Sequence, residues 1–408
     1  MIVEISKSLA NGCIKAQPSK SYAHRMLIAA GLSKNDCVVE NVVLSNDILA
    51  TINCLKTLGK EIEITGDYIK TIIIKNNNSF DIDNIDELVF DCLESGSTLR
   101  FFIPVALLLN KKVIFRGSEK LISRGIKVYE DICIKQGIEV IKEKNAITFI
   151  GNLKSDIFDI EGNISSQFIS GLLFSLPLLK NDSNINIITN LESKNYIDIT
   201  IDVLKQAGII VERQDDYHYV IRGNQKYNMT KCVVEGDYSN SAFIDCLNYL
   251  NGKVRIEGLN ENSLQGDKQY IELFKKLNEG YCDCDISNCI DLGPILFAFA
   301  SLKHGGCFNG VNRLKIKESD RINDIKEELE KFGVVLLEND NQVIIKNKNL
   351  KKPIEALSGK NDHRIVMALS IMLTCFGGII NGAEAVNKSY PNFFDDLKKL
   401  NVEVRNVN

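Results

Sequence analysis

Residues 95–109 read SGSTLRFFIPVALLL, and residues 112–117 read KVIFRG. A small polar cluster opens an apolar helical run, and a β-branched, aromatic run follows within a few positions. The same order recurs five more times. The other openings are SKSYAHRMLIAAGLS (19–33), SSQFISGLLFSLPLL (165–179), SNSAFIDCLNYL (239–250), DLGPILFAFASL (291–302) and DHRIVMALSIML (362–373). Strand-like runs after them include CVVENVV (37–43), NINIIT (184–189) and KVRIEG (253–258). Each unit then closes on a second helix with a shared ending: LKTLG to Gly59, IKQG to Gly137, LKQAG to Gly208, FKKLN to Asn278, LEKFG to Gly333 and LKKLN to Asn401. Gly and Asn tolerate the left-handed backbone that terminates a helix. Most endings lead into a β-like run: EIEI, IEVI, IIVE, VVLL or VEVR. The six endings are spaced by about 68 residues on average, the mark of a repeated supersecondary unit.

Six helix–strand–helix–strand units divide into two α/β domains of three, each a sheet-walled body with helices inside. The polar stretch GNQKYNM (223–229) marks the break, which gives an N-terminal domain over 17–226 and a second domain from 227 to 408. Residues 1–16 offer two short strands, IVEI and CIKA, that belong to no complete unit. Assigned to the second domain, they make it discontinuous.

The chain has 408 residues, 45% hydrophobic and 25% charged, enough to hold cores together without disulfides or metals. Lys plus Arg number 49 against 53 Asp plus Glu, a net charge of −4. No basic run is present, which argues against a nucleic-acid partner; a small anionic ligand needs only a local basic pocket. The longest apolar stretch, Phe101 to Leu109, is about half of what a bilayer requires. The opening MIVEISKSLANGCIKA lacks the apolar core and cleavage site of a signal peptide, so the reading is cytoplasmic. Of 12 cysteines, most (Cys54, Cys133, Cys246, Cys375) sit singly in apolar segments, where a thiol acts as a small hydrophobe. YCDCDISNC (281–289) is the exception, but no second Cys pair or nearby His completes a metal site.

Chemistry-bearing residues gather at helix starts: Lys20, Ser21 and Arg25; Ser95, Gly96 and Arg100; Ser165, Ser166 and Gln167; Asp362, His363 and Arg364. Second helices add Arg124, Ser193 with Lys194, Lys317–Arg321 (KESDR) and Lys388. Backbone N–H groups and the helix dipole make such N-termini anion sites. If the units face one another, these ends converge on a cleft suited to phosphate and carboxylate groups. Singly, each residue reads as an ordinary cap. ESGST matches neither a Walker loop nor a dinucleotide fingerprint, and His24, His218 and His304 read as incidental.

The strings QPSKSYAHR, ESGSTLRF, SSQF, SKNYIDIT, KIKESDRI, DHRIVMALS and NKSYPNFF, in this order over nearly the whole chain, resemble the 5-enolpyruvylshikimate-3-phosphate synthase family. The resemblance implies two inverse α/β prism domains, each with pseudo-threefold symmetry, closing on substrate. It implies transfer of the enolpyruvyl group of phosphoenolpyruvate to the 5-hydroxyl of shikimate 3-phosphate, through a tetrahedral intermediate with release of phosphate. Acid and base catalysis suffices, so it implies no cofactor and no metal. It also implies a monomer, and sensitivity to glyphosate because Gly96 lacks a crowding methyl group.

Carried over by position, Lys20, Gly96, Arg124, Gln167, Arg321, Arg364 and Lys388 are implied to bind phosphoenolpyruvate. Lys20, Ser21, Arg25, Ser165, Ser166, Gln167, Ser193, Asp291 and Lys317 are implied to bind shikimate 3-phosphate. Asp291 takes the hydroxyl proton in this scheme, and Glu318 with Lys20 carries the proton to the methylene carbon. From position alone Asp291 also reads as a helix cap, and either role predicts little change in stability on replacement by Asn. Four residues depart from the family pattern: Glu94 and Arg313 stand where Asn occurs, and Gly125 and Asn195 where Pro occurs. The UDP-N-acetylglucosamine enolpyruvyl transferases share the implied fold, but their loop cysteine has no counterpart in RGSEKLISRG (116–125). A non-catalytic anion-binding relative is a further alternative, opposed by the intact Lys20, Asp291 and Glu318.

Overall fold

The computed structural model describes residues 1–76, 85–346 and 349–407. Its α-helices are α1 (Lys20–Leu32), α2 (Asn46–Thr57), α3 (Gly96–Ala106), α4 (Glu119–Ser123), α5 (Lys127–Gln136), α6 (Ser166–Ser175), α7 (Lys194–Gln206), α8 (Tyr238–Tyr249), α9 (Tyr270–Glu279), α10 (Gly293–Leu302), α11 (Arg321–Glu330), α12 (His363–Phe376) and α13 (Phe393–Lys399). The first helix of each unit is buried over most of its length, polar residues at its start included. Every residue of α12 from His363 to Thr374 is buried, and so is every residue of α10 from Gly293 to Ser301. The second helices are amphipathic; α9 buries Tyr270, Leu273, Phe274 and Leu277, the one-sided stripe of a 3.6-residue period.

One sheet shows the rule that the others follow. The strand before α3, Glu87–Asp91, pairs in parallel with the strand after it, Lys112–Arg116. The hairpin after α5 then adds Ala146–Ile150 and Glu139–Lys142 antiparallel. Alternation puts Phe90, Phe115 and Phe149 on one face, each wholly buried. Among the described residues, five four-stranded sheets share this parallel–antiparallel–antiparallel order. The sixth has two strands, Asn11–Lys15 beside Lys253–Glu257.

The short sheet follows from the fourth unit's ending. Gly59, Gly137, Gly208, Gly333 and Asn401 all adopt positive φ, from 62° to 84°. The expected turn at Asn278 does not form: α9 runs through it to Glu279 and ends at Gly280 in extended backbone, φ 174°. The next strand, Asp283–Asp285, joins the following sheet.

The chain divides into two compact units, Pro18–Glu235 and Met1–Gln17 with Gly236–Asn408, and each has its own apolar core. In the discontinuous unit, Ile2–Ile5 lies between Gly378–Asn381 and Val404–Asn406. In the other, Lys231–Val233 pairs in parallel with Cys37–Val42. The second crossing therefore follows Glu235 and not residue 226. GNQKYNM is no linker, because Tyr227 and Met229 are buried and the Tyr227 hydroxyl donates to the Phe174 carbonyl at 2.7 Å. No described helix is long and apolar enough to cross a membrane.

Candidate active site

In the unit 18–235 the polar residues stand on the N-termini of α1, α3 and α6. Ser19, Ser95 and Ser165 are N-caps, accepting from the backbone of Tyr22, Thr98 and Gln167. Ser165 therefore fills a structural role at the predicted site; Ser166 beside it is buried. Lys20, the first residue of α1, pairs with Asp47 of α2 at 2.7 Å. Arg25 lies beneath, 2% exposed, and donates to the Thr200 and Ser170 hydroxyls and the Ser21 and Tyr196 carbonyls. Burial brings its guanidinium down to about 10, and its carbon lies 5.0 Å from the Phe101 ring centre.

Gln167 is held from both ends of its amide. Its Oε1 accepts from Arg100 Nη1 at 2.7 Å and its Nε2 donates to Ser97 at 2.9 Å. Gly96 lies against Arg124: a methyl group there would sit 3.0 Å from Arg124 Nη1. Ser193 is buried at φ 56°, a left-handed backbone that a serine adopts at a cost of about 1–3 kcal/mol. Gly125, at φ 73°, holds a conformation closed to the Pro that the family pattern places there. His24 is buried and bonded to Thr51 at 2.7 Å; burial, with Lys20 and Arg25 nearby, keeps its imidazole neutral.

In the other unit a charge network joins the turn before α10 to the starts of α11 and α12. Asp291 receives Arg321 Nη1 at 2.9 Å, Arg364 Nη2 at 3.1 Å and Lys317 at 3.2 Å. Burial pushes the Asp291 carboxyl up, but Arg364, Lys317 and Arg321 outweigh it and hold the group well below the usual carboxylate range. Arg321, 1% exposed, also reaches Glu318 at 2.6 Å and Asp362 at 2.8 Å. Against burial, Asp362, Glu318 and Asp291 keep it firmly charged. Burial lowers Lys317, with Arg321 and Arg313 adding to the effect. Lys388, buried, donates to the Asn361 carbonyl at 2.7 Å.

Asp291 caps no helix here. It sits in a 3-10 turn, Ile290–Leu292, and the N-cap of α10 is Leu292. The expectation that Asn would replace it with little effect on stability falls with that, because the carboxylate balances three cations. Lys20, Arg321 and Arg364 each stand in the first turn of a helix, where the dipole disfavours a cation. Asp47, Asp362, Glu318 and Asp291 offset that cost. Such an arrangement can exchange protein carboxylates for anionic ligand groups.

Asp47 and Thr200 were not singled out from sequence. Asp47 meets Lys20 across 27 positions and Thr200 meets Arg25 across 175, and no local pattern encodes either pairing. Arg313 anchors the Asp291 segment by donating to the Ser287 carbonyl at 2.6 Å.

The model of the EPSP synthase (3-phosphoshikimate 1-carboxyvinyltransferase) family matches residues 4–397. A 3-phosphoshikimate 1-carboxyvinyltransferase of Clostridium novyi is 41% identical, over 98% of this chain and 97% of its own. One of Clostridium acetobutylicum is 40% identical over 98% of both. Among solved structures, EPSP synthase from Acinetobacter baumannii superimposes with a TM-score of 0.78 over the whole of both chains at 18% identity, a likeness of fold.

Proposed function

This chain belongs to the EPSP synthase family, and on that premise we propose how its residues transfer the enolpyruvyl group of phosphoenolpyruvate to the 5-hydroxyl of shikimate 3-phosphate. The carrying observation is Arg321, whose guanidinium touches both Asp291 and Glu318. One cation thus joins the two carboxyl groups to which this proposal assigns proton transfer.

Asp291 accepts the acceptor's hydroxyl proton as that oxygen bonds to C2 of phosphoenolpyruvate. The C2–C3 π pair takes a proton at C3, supplied by Glu318 with Lys20. In the second step C3 returns a proton, the double bond reforms and the C2–O bond to phosphate breaks. Arg124, Arg321, Arg364 and Lys388 hold the carboxylate and phosphate of phosphoenolpyruvate, with Lys20, Gln167 and Gly96, whose missing side chain lets the Arg124 guanidinium lie against it. Ser21, Arg25, Ser165, Ser166, Gln167, Ser193, Lys20 and Lys317 hold shikimate 3-phosphate beside Asp291. Binding exchanges the network's internal carboxylates for ligand anions. As Arg321 and Arg364 turn to phosphoenolpyruvate, Asp291 loses the cations that depress it and becomes a better base.

The same reading has the chain acting as a cytoplasmic monomer on small molecules alone; its net charge of −4 supports a partner other than nucleic acid. The test is phosphate release from phosphoenolpyruvate. Release that depends on shikimate 3-phosphate, and is absent with UDP-N-acetylglucosamine, is expected. No release from folded protein overturns the proposal.

A further inference from the structure

The Cys282 and Cys284 sulfurs lie 3.1 Å apart, closer than two unbonded sulfurs usually sit. Cys282 is half-buried and Cys284 buried, so a solute reaches the pair through Cys282. Burial, then the neighbouring Cys282 thiol, pushes Cys284 up to about 12. The pair spans the start of the strand Asp283–Asp285, an edge strand held to Gly306–Asn309 at only three positions. Six residues beyond it comes Asp291. The intervening segment is held by Asp285 accepting from the Ser287 amide at 2.8 Å, by the Ile286 amide to the Asn309 carbonyl at 3.0 Å and by Arg313 at Ser287. Residues two apart in a strand have Cα atoms roughly 6.6 Å apart, near the upper limit of what a disulfide spans. Closing such a bond draws the two residues together and pulls on the chain that follows.

We propose that Cys282 and Cys284 form a redox-convertible dithiol, and that its closure by a small disulfide slows turnover through the segment carrying Asp291. The exchange balances without further reactants. The Cys282 thiolate attacks one sulfur of the small disulfide and expels one thiolate. Cys284, losing its proton, then attacks the Cys282 sulfur and expels the second. Two protein thiols are oxidised and one disulfide is reduced to two thiols. Asp283 lies between the two cysteines and Asp285 follows them, both exposed, so a cationic disulfide such as cystamine is the suitable reagent.

The effect on turnover rests on the proposed role of Asp291; formation of the bond does not. The full chain, carrying Cys13→Ser because Cys13 is exposed, is reduced and treated with excess cystamine. The bond is located by tandem mass spectrometry, and phosphate release is measured before, after and following dithiothreitol. A Cys282–Cys284 bond is expected, with release falling roughly tenfold, as a small displacement of a reacting group implies, and recovering on reduction. Cys282→Ser is expected to keep the starting rate and resist cystamine. A bond to Cys289 or Cys307, or a persistent mixed disulfide on Cys282, overturns the dithiol. A Cys282–Cys284 bond with unchanged release overturns its control of turnover. Absent release before oxidation speaks against the proposed function and leaves the bond mapping intact.

Discussion

Asp291 and Asp267 are two acids of one charged neighbourhood, driven in opposite directions by what surrounds them. Asp291 meets Arg364, Lys317 and Arg321 and stays ionised. Asp267 is buried, and burial with the charges of Asp291 and Asp237 raises it to about 6, against Arg364 and the Ser239 hydroxyl. A carboxyl raised on folding adds stability below its ordinary value of 3.8, and that stability is lost as pH rises through about 6. Asp267→Asn removes the titration, so its melting temperature should gain on wild type as pH rises through about 6 and level off above it. Thermal unfolding across pH reads the difference; a constant gap from acid to mildly alkaline buffer contradicts it.

At the scale of elements, the starts of α1, α3 and α6 present hydroxyls, amides and cations whose positions depend on close backbone approaches. Gly96 is the sharpest case. An added methyl group would stand 3.0 Å from Arg124 Nη1 and 3.3 Å from its Cζ, so the guanidinium must give way while the backbone need not. Gly96→Ala should fold normally and raise the KM for phosphoenolpyruvate roughly tenfold, within the worth of one charge-assisted hydrogen bond; an unchanged KM would show that Arg124 does not meet this substrate. Much of this was legible in sequence because it is local. A polar cap before an apolar helix and a left-handed Gly after one are set by neighbours in the chain, and five of the six helix endings took that form. Asn278 misled because α9 continues through it and no hairpin follows. Asp291 read by position alone as a cap first, since a cap and a ligand look alike in sequence; only the folded chain brings Arg321, Arg364 and Lys317 to it.

For the whole molecule, the two crossings of the chain decide what can fold alone. Residues 18–235 contain every strand of their three sheets, including Lys231–Val233. Residues 236–408 lack Ile2–Ile5, which has strands on both sides, and Asn11–Lys15, the partner of Lys253–Glu257 among the described residues. The fragment 18–235 should therefore unfold cooperatively on heating, whereas 236–408 should do so only with residues 1–17 supplied; independent cooperative unfolding of 236–408 would contradict this. The proposed reaction draws residues from both units, so its decisive test uses the full chain. That measurement is the rate of phosphate release from phosphoenolpyruvate and shikimate 3-phosphate by Asp291→Asn, with folding and shikimate 3-phosphate binding checked alongside. Loss of a positioned base should lower turnover by roughly 10²–10⁴-fold, with binding retained through the amide; turnover within about threefold of wild type, far inside that range, would show that Asp291 serves the charge network and not the chemistry.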